Sequence, residues 1–329
     1  MNKLYTAIIG LSFVCLLFST ANAQKTREIG KPKNYRALKT ENSAALQTLL
    51  NEAVSDAITK SGNFKPEEIA ATVIDLRDAE SAKLAEVRGA EKIYPASVVK
   101  MFYMVALEQL LEEGKVKSTP ELERGLKDMI VDSSNEATQY ILDVITDTSS
   151  GGELPEKEYK IWSSKRNAVN RFYSSLGYTN INVNQKTFCE DAYGREQQFR
   201  GYKGENRNKL NTTATARLMG EIVLGRVANA EKTQKMLNLM KREPFVETKD
   251  QDDQAHGFSG KSLIDMNLKD AKIWSKAGWT SSTRHDVAYI ETADGLKFVI
   301  AVFTENHASD RETLPRVVGN IIKGLKGFK

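Results

Sequence analysis

Apolar residues change their spacing along the chain, and the changes mark its parts. From Ser43 they fall at Ala44, Ala45, Leu49, Ala53, Ala57 and Ile58, the spacing of an amphipathic helix. The polar stretch "SGNFKPEE" ends that helix. "IAATVIDLRD" then reads as a strand, "AESA" as a turn and "KLAEVRG" as a second strand. From Ser97 to about Lys241 the pattern is mostly helical, broken by polar loops. Strands return in "AKIWSKAGW", "DVAYIETA" and "LKFVIAVFTEN". Ala293-Asp294-Gly295 joins the last two, and Asp-Gly is a hairpin signal. A final helix is expected from Asp310, or from near Leu314 if Pro315 is to sit in its first turn.

A helix and strands at both ends thus bracket a helical middle. The predicted fold is α/β, of the α+β kind: an antiparallel sheet built from both termini, flanked by helices, with an inserted all-helical region. The α/β part is expected at 41–96 and 242–329 and the helical part at 97–241, together one domain.

The first residues follow a different logic. Lys3 precedes the apolar run "LYTAIIGLSFVCLLF", and Ala21-Asn22-Ala23 is a small-x-small cleavage signal. The run is shorter than the ~20 residues that span a bilayer. Residues 1–23 therefore read as a signal peptide cleaved after Ala23, which predicts a periplasmic or secreted protein with no stable membrane insertion. The polar, basic residues 24–40 read as a flexible lead-in. Cleavage removes Cys15 and leaves Cys189 alone, so no internal disulfide can form and stability must come from a packed core.

Composition excludes some partners. Forty-seven basic residues stand against 43 acidic ones, with no basic stripe interleaved with aromatics, which argues against nucleic acid. "FKPEEI" and "KDQDDQ" read as solvated loops. The three histidines, His256, His285 and His307, have no paired spacing, and one cysteine cannot build a thiolate site, so no metal is expected. There is no nucleotide fingerprint, and no cofactor is expected. A small molecule acting on a monomer is the expected partnership.

One segment breaks its own pattern. Every residue from Val98 to Leu107 except Lys100 is aliphatic, aromatic or Met. Pro95 disfavours helix at the residue before it, so the helix should start close after, with Ser97 near its N-terminus. Lys100, three residues on, lies about one turn away on the same face. Desolvated by Val98, Val99, Met101 and Phe102, its amine loses affinity for a proton and could accept that of Ser97. A Ser-x-x-Lys match also arises by chance, and a lysine can snorkel from a half-exposed helix.

Two further segments sharpen the reading. In "MIVDSSNEATQYIL", Ser133-Ser134-Asn135 precedes an apolar helical pattern. It reads as a helix cap, or as a proton relay at Ser133 with Asn135 on a substrate amide carbonyl. In "SKAGWTSSTRHDVAYIE", Lys276-Ala277-Gly278 opens a strand. It reads as an ordinary surface strand, or as a positive charge beside a glycine where a peptide-like substrate can lie against the backbone.

These three segments, in this order, resemble the signatures Ser-x-x-Lys, Ser-Asp-Asn and Lys-Thr-Gly of the class A β-lactamases and the penicillin-interacting serine enzymes around them. The likeness runs over nearly the whole mature chain. "TVIDLRD" is similar to the family's first strand and turn, "NTTATARLM" to the segment closing its Ω-loop region, and "TRHDVAYIE" to the strand whose arginine helps bind the substrate carboxylate, here Arg284. The resemblance implies that Ser97 attacks a carbonyl and Lys100 takes or relays its proton. Ser133 would pass a proton to the leaving nitrogen, assisted by Lys276. The backbone N–H groups of Ser97 and Trp279 would form an oxyanion hole, in which each donor is worth ~3–4 kcal/mol. Asn135, Lys276, Gly278, Trp279 and Arg284 would bind substrate.

The sequence departs from the family in several places. Ser134 replaces an aspartate that braces the cap. Ala277 replaces a threonine whose hydroxyl would meet a substrate carboxylate, a task open to Thr280 or Ser281. The stretch from Lys100 to Ser133 is short and that from Asn135 to Asn211 long. The family's Glu-x-x-Leu-Asn, which holds the deacylating water, is missing; Glu196 in "EQQF" and Glu190 are the candidates. The expected function is an exported serine hydrolase forming an acyl-enzyme on Ser97, most simply for β-lactam ring hydrolysis. The alternatives are a D-Ala-D-Ala peptidase or esterase of the same fold, and a penicillin-binding sensor that acylates without turnover. A non-catalytic scaffold would have no need of a desolvated lysine.

Overall fold

The computed structural model describes residues 27–328; the expected signal peptide lies outside them. The chain opens with β1 (Thr40–Asn42), α1 (Ala44–Ser61), β2 (Ile69–Asp75) and β3 (Ala82–Val87). The helical middle follows as α2 (Val99–Glu112), α3 (Pro120–Ile130), α4 (Asn135–Thr146), α5 (Glu156–Arg166), α6 (Ala168–Ser175), α7 (Arg195–Arg200), α8 (Thr212–Val223) and α9 (Ala230–Met240). The chain ends with β4 (Lys241–Arg242), α10 (Ser259–Asp265), β5 (Lys272–Trp279), β6 (Thr283–Glu291), β7 (Lys297–Glu305) and α11 (Thr313–Lys326).

The strands form one sheet in the order β1-β3-β2-β7-β6-β5-β4. Its two halves, from opposite ends of the chain, join at the antiparallel β2–β7 pair, from Ile69 opposite Thr304 to Asp75 opposite Phe298. The expected antiparallel sheet is therefore found, with a parallel β1–β3 pair added at one edge. Side chains leave a strand alternately on opposite faces, and here both faces are covered. Ile69, Ala71 and Val73 of β2 join Phe298, Ile300 and Val302 of β7 in a core under α1 and α11. Ala70 and Ile74, with Val299, Ala301 and Phe303, face the helical side. Within that side α2 is central, buried from Val99 through Leu110. Each large apolar side chain so buried contributes ~1.5–3 kcal/mol.

Local chemistry sets the ends of the elements. Ser43 caps α1 by accepting the Leu46 N–H at 3.3 Å. Gly295, at φ +94°, turns the β6–β7 hairpin in a conformation that suits glycine. Asp310 accepts the N–H groups of Glu312 and Thr313 at 2.9 and 2.7 Å, so α11 starts at Thr313 with Pro315 in its first turn. This is the later of the two expected starts.

The lead-in differs from expectation. Ile29 and Leu38 are buried in the helical-side core, Arg27 donates to the carbonyl of Val144, and Arg171 pairs with Glu28 at 2.7 Å. Two well-placed aliphatic residues and paired charges pin a stretch whose polar composition suggested flexibility.

Candidate active site

The three sequence segments converge on one cleft of about 460 Å³, lined among others by Ser97, Ser133, Asn135, Gln254, Gly278 and Trp279. Each wall is held in place by identifiable contacts.

Ser97 lies in a single 3-10 turn, Ala96–Val98, that runs directly into α2. Ala96, just before it, has φ +45°, a left-handed conformation that costs a non-glycine residue ~1–3 kcal/mol. Two strands hold this turn. The Nε2 of His285 on β6 lies 2.9 Å from the Tyr94 carbonyl, while its Nδ1 accepts the Thr304 N–H at 3.1 Å. That pairing fixes the proton on Nε2, and burial lowers the ring's pKa to about 4, so His285 acts as a neutral brace. Gly278 on β5 presses closer still. A methyl group on it would lie 2.7 Å from the Pro95 oxygen and 2.9 Å from the Ser97 nitrogen. Only glycine lets β5 approach the turn so closely.

Ser133 lies between α3 and α4 and is also left-handed, at φ +57°. Ser134 caps α4, its hydroxyl accepting the Ala137 N–H at 3.0 Å. A serine thus fills the bracing position in which the family has aspartate.

Two buried lysines converge on Ser133. Lys100 Nζ donates to the Ser133 carbonyl, lies 2.9 Å from Asn135 Oδ1 and lies 3.3 Å from Ser133 Oγ. Burial lowers its pKa from 10.5 to about 7. A neutral amine has two hydrogens and one lone pair. The Ser133 carbonyl and Asn135 take the hydrogens, which leaves the lone pair to accept a proton. Lys276 Nζ lies 2.9 Å from Ser133 Oγ, 2.8 Å from Gln254 Oε1 and 2.9 Å from the Ala277 carbonyl. Burial, then the charges of Lys100 and Arg242, push its pKa well down. Its three acceptors hold the amine in place against Ser133.

Gln254 is the residue that sequence reasoning missed. Its Oε1 accepts from Lys276 and, at 3.1 Å, from the Ala277 N–H; its Nε2 donates to the Ile130 and Val131 carbonyls at 2.9 and 2.8 Å. One amide, with all its hydrogen-bonding capacity used, ties the end of α3 to β5. It is the last residue of "KDQDDQ", which read as a solvated loop. Instead Asp250, Asp252 and Asp253 line the cleft. No motif marks a lone glutamine, so the sequence carried no signal for it.

The free edge of β5 shapes the opposite wall. β4 pairs only with Ile273 and Trp274, which leaves the edge beyond them open. The Ala277 N–H points out of that edge to Gln254, so the Trp279 N–H, two residues on, points the same way. The Trp279 side chain is half exposed, its Nε1 donating to the Ala308 carbonyl at 3.0 Å.

Two expected residues are not available to substrate. Glu196 does not line the cleft. It is buried, and its carboxylate accepts a two-pronged contact from Arg166, both bonds at 2.9 Å, a hydrogen bond from Ser150 at 2.9 Å, and an ion pair with Lys186 at 3.3 Å. Its carboxylate is thus engaged by two cations and a hydroxyl away from the cleft. Glu190 is exposed and lines a separate small hollow with Arg200 and Arg207. Arg284 is only 1 % exposed. Its Nε donates to Ala308 O at 2.8 Å, its Nη1 to Gly257 O at 2.8 Å, and its Nη2 to Asp252 at 2.7 Å. A substrate carboxylate would meet an arginine whose nitrogens are all engaged. The free thiol of Cys189 lies 3.4 Å from Asn135 Nδ2.

A serine on a buried turn, two desolvated lysines on a second serine and an open strand edge define a serine hydrolase of the β-lactamase and penicillin-binding-protein kind. The model of the β-lactamase enzyme family matches residues 50–323, and the chain belongs to that family. Among solved structures, a β-lactamase from Sphaerobacter thermophilus is similar at 19% identity and TM-score 0.59, over 84% of this chain and 95% of that one. A class A β-lactamase representative from Bacteroides cellulosilyticus is similar at 14% identity and TM-score 0.61, over 87% and 100%. A mutant of PBP-A, described as an acyl-enzyme complex with penicillin G, is similar at 17% identity and TM-score 0.61, over 89% and 100%. These likenesses show the fold. No curated protein matches. Among the described residues no helix is long and apolar enough to cross a membrane.

Proposed function

We propose that this protein opens β-lactam rings by acylation on Ser97, and that hydrolysis of the resulting ester is its slow step. Neutral Lys100 accepts the Ser97 proton as the hydroxyl attacks the ring carbonyl. The N–H groups of Ser97 and Trp279 receive the developing oxyanion. The C–N bond then breaks, and Ser133 delivers its proton to the leaving nitrogen, assisted by Lys276, while Lys100 returns the Ser97 proton to Ser133 Oγ and is neutral again. Ser133 Oγ within 3.3 Å of one lysine and 2.9 Å of the other is the observation that carries this reading. The pattern from Lys3 to Ala23 supports action in the periplasm or outside the cell.

The engagement of Glu196 with Arg166 favours a second reading, an acyl-enzyme that persists as in a penicillin-binding sensor. The carboxylates lining the cleft are aspartates, Asp132, Asp250, Asp252 and Asp253. Mass spectrometry over time with benzylpenicillin separates the readings. An adduct that forms, decays over many minutes and is absent in Ser97→Ala supports slow hydrolysis. An adduct that never decays supports the sensor. No adduct refutes both.

A further inference from the structure

The contacts of Asp252 bear on which substrate the cleft accepts. Asp252 lines the cleft and Arg284 does not. Asp252 Oδ1 accepts from Arg284 Nη2 at 2.7 Å and from Arg311 Nε at 2.9 Å, and its Oδ2 accepts from Arg311 Nη2. The guanidinium carbon of Arg284 also lies over two aromatic rings, 4.8 Å from the centre of Phe258 and 5.4 Å from that of Trp279. Each of its three nitrogens is thus engaged, by two carbonyls and one carboxylate. Ala277 brings no hydroxyl to the same wall.

A carboxylate entering at this rim would face the Asp252 charge and would have to displace it from a buried cation. Leaving the buried Arg284 without that partner is unfavourable. We infer that Asp252 weakens the hold on a carboxylate at that rim by withholding Arg284, so that an acyl donor with an uncharged or cationic group there is used faster than one with a carboxylate. This inference rests on the reading of Ser97 as the acylated residue. Benzylpenicillin, which carries a carboxylate on its fused ring, is then a poor fit that still reports on Ser97.

Two thioesters with the same phenylacetylglycyl acyl group test the inference, one with mercaptoacetate as leaving group and one with mercaptoacetamide. The purified protein should use the carboxamide with a kcat/KM at least threefold higher. Asp252→Asn should shift the ratio towards the carboxylate by tenfold or more. The shift should vanish in Asp252→Asn combined with Arg284→Leu, because released Arg284 is its source. A wild-type preference for the carboxylate overturns the inference, and so does an Asp252→Asn ratio within twofold of wild type. The wild-type comparison decides alone if the variants fold poorly. If neither thioester acylates Ser97, calorimetry with phenylacetylglycylglycine and its carboxamide reads the rim without chemistry, while the benzylpenicillin adduct still decides the proposed function. Tighter binding of the carboxamide supports the inference; equal or weaker binding overturns it.

Discussion

Replacing Lys100 with Met measures what the buried amine costs the fold. Burial moves its pKa from 10.5 to about 7. At 1.36 kcal/mol per pH unit, that difference withholds about 5 kcal/mol of native stability at neutral pH. The sign follows from proton counts. Between about 7 and 10.5 the unfolded chain keeps the lysine proton and the folded chain has lost it, so stability rises with pH across that window. The penalty is fully present below about 7 and gone above 10.5. Met fills the same apolar surroundings without the penalty. It forfeits the bonds to the Ser133 carbonyl and Asn135, together about 3 kcal/mol with two acceptors left unpaired. Lys100→Met should therefore be more stable at pH 7 by about 2 kcal/mol, a rise in Tm of about 5 °C, and inactive. By pH 10 its advantage should disappear or reverse. Calorimetric melts of both proteins at pH 7 and pH 10 check this. A variant that melts lower at pH 7, with the same pH dependence as wild type, would refute the reasoning and mark Lys100 as a charged, well-paired residue.

Acylation by benzylpenicillin should rise with pH through about 7 and fall about tenfold per unit below it, because only neutral Lys100 accepts a proton; a rate constant flat from pH 5.5 to 8 speaks against Lys100 as base. His285, lowered to about 4, adds no step in that range. Gly278→Ala puts a methyl group 2.7–3.0 Å from the backbone of Pro95, Ser97 and Val98, so acylation should drop by about 100-fold, the scale of a misplaced catalytic group; stopped-flow rates near wild type would mean that β5 can retreat at little cost. Glu196→Gln leaves Arg166 and Lys186 with a neutral partner and should destabilise the fold by about 3–5 kcal/mol in urea titrations. The deacylation rate of the folded fraction should stay within a few-fold of wild type, and a selective collapse of that rate would restore Glu196 to catalysis.

Much of the fold was readable because its elements obey single rules. The 3.6-residue period of α1, the alternating faces of β2 and β7, and Asp-Gly in the last hairpin each report local structure. The pairing of β2 with β7 could be anticipated only as a consequence of strands at both ends. The lead-in was misread because composition averages over 17 residues, while two of them, Ile29 and Leu38, decide its packing.

Residues of the site were legible where a side chain conflicts with its surroundings. A lysine in an apolar helix and a glycine in a strand are such conflicts: Gly278 lines the cleft, and Lys100 is buried behind it against two of its lining residues, Ser133 and Asn135. Residues whose availability depends on distant partners were not legible. Nothing local to Arg284 reveals that Asp252, 32 positions earlier in the chain, takes its Nη2. Nothing local to Glu196 reveals Arg166, 30 positions earlier. The same distinction separates what the two half-reactions require. In the proposed reaction, acylation would draw on groups that short motifs carry: Ser97, Lys100, Ser133 and Lys276. Deacylation and substrate choice draw on whether a charge is free, and that is set by ion pairs formed across the fold. A chain can therefore keep every acylation motif while long-range pairing alters how fast the ester is released and which donor forms it.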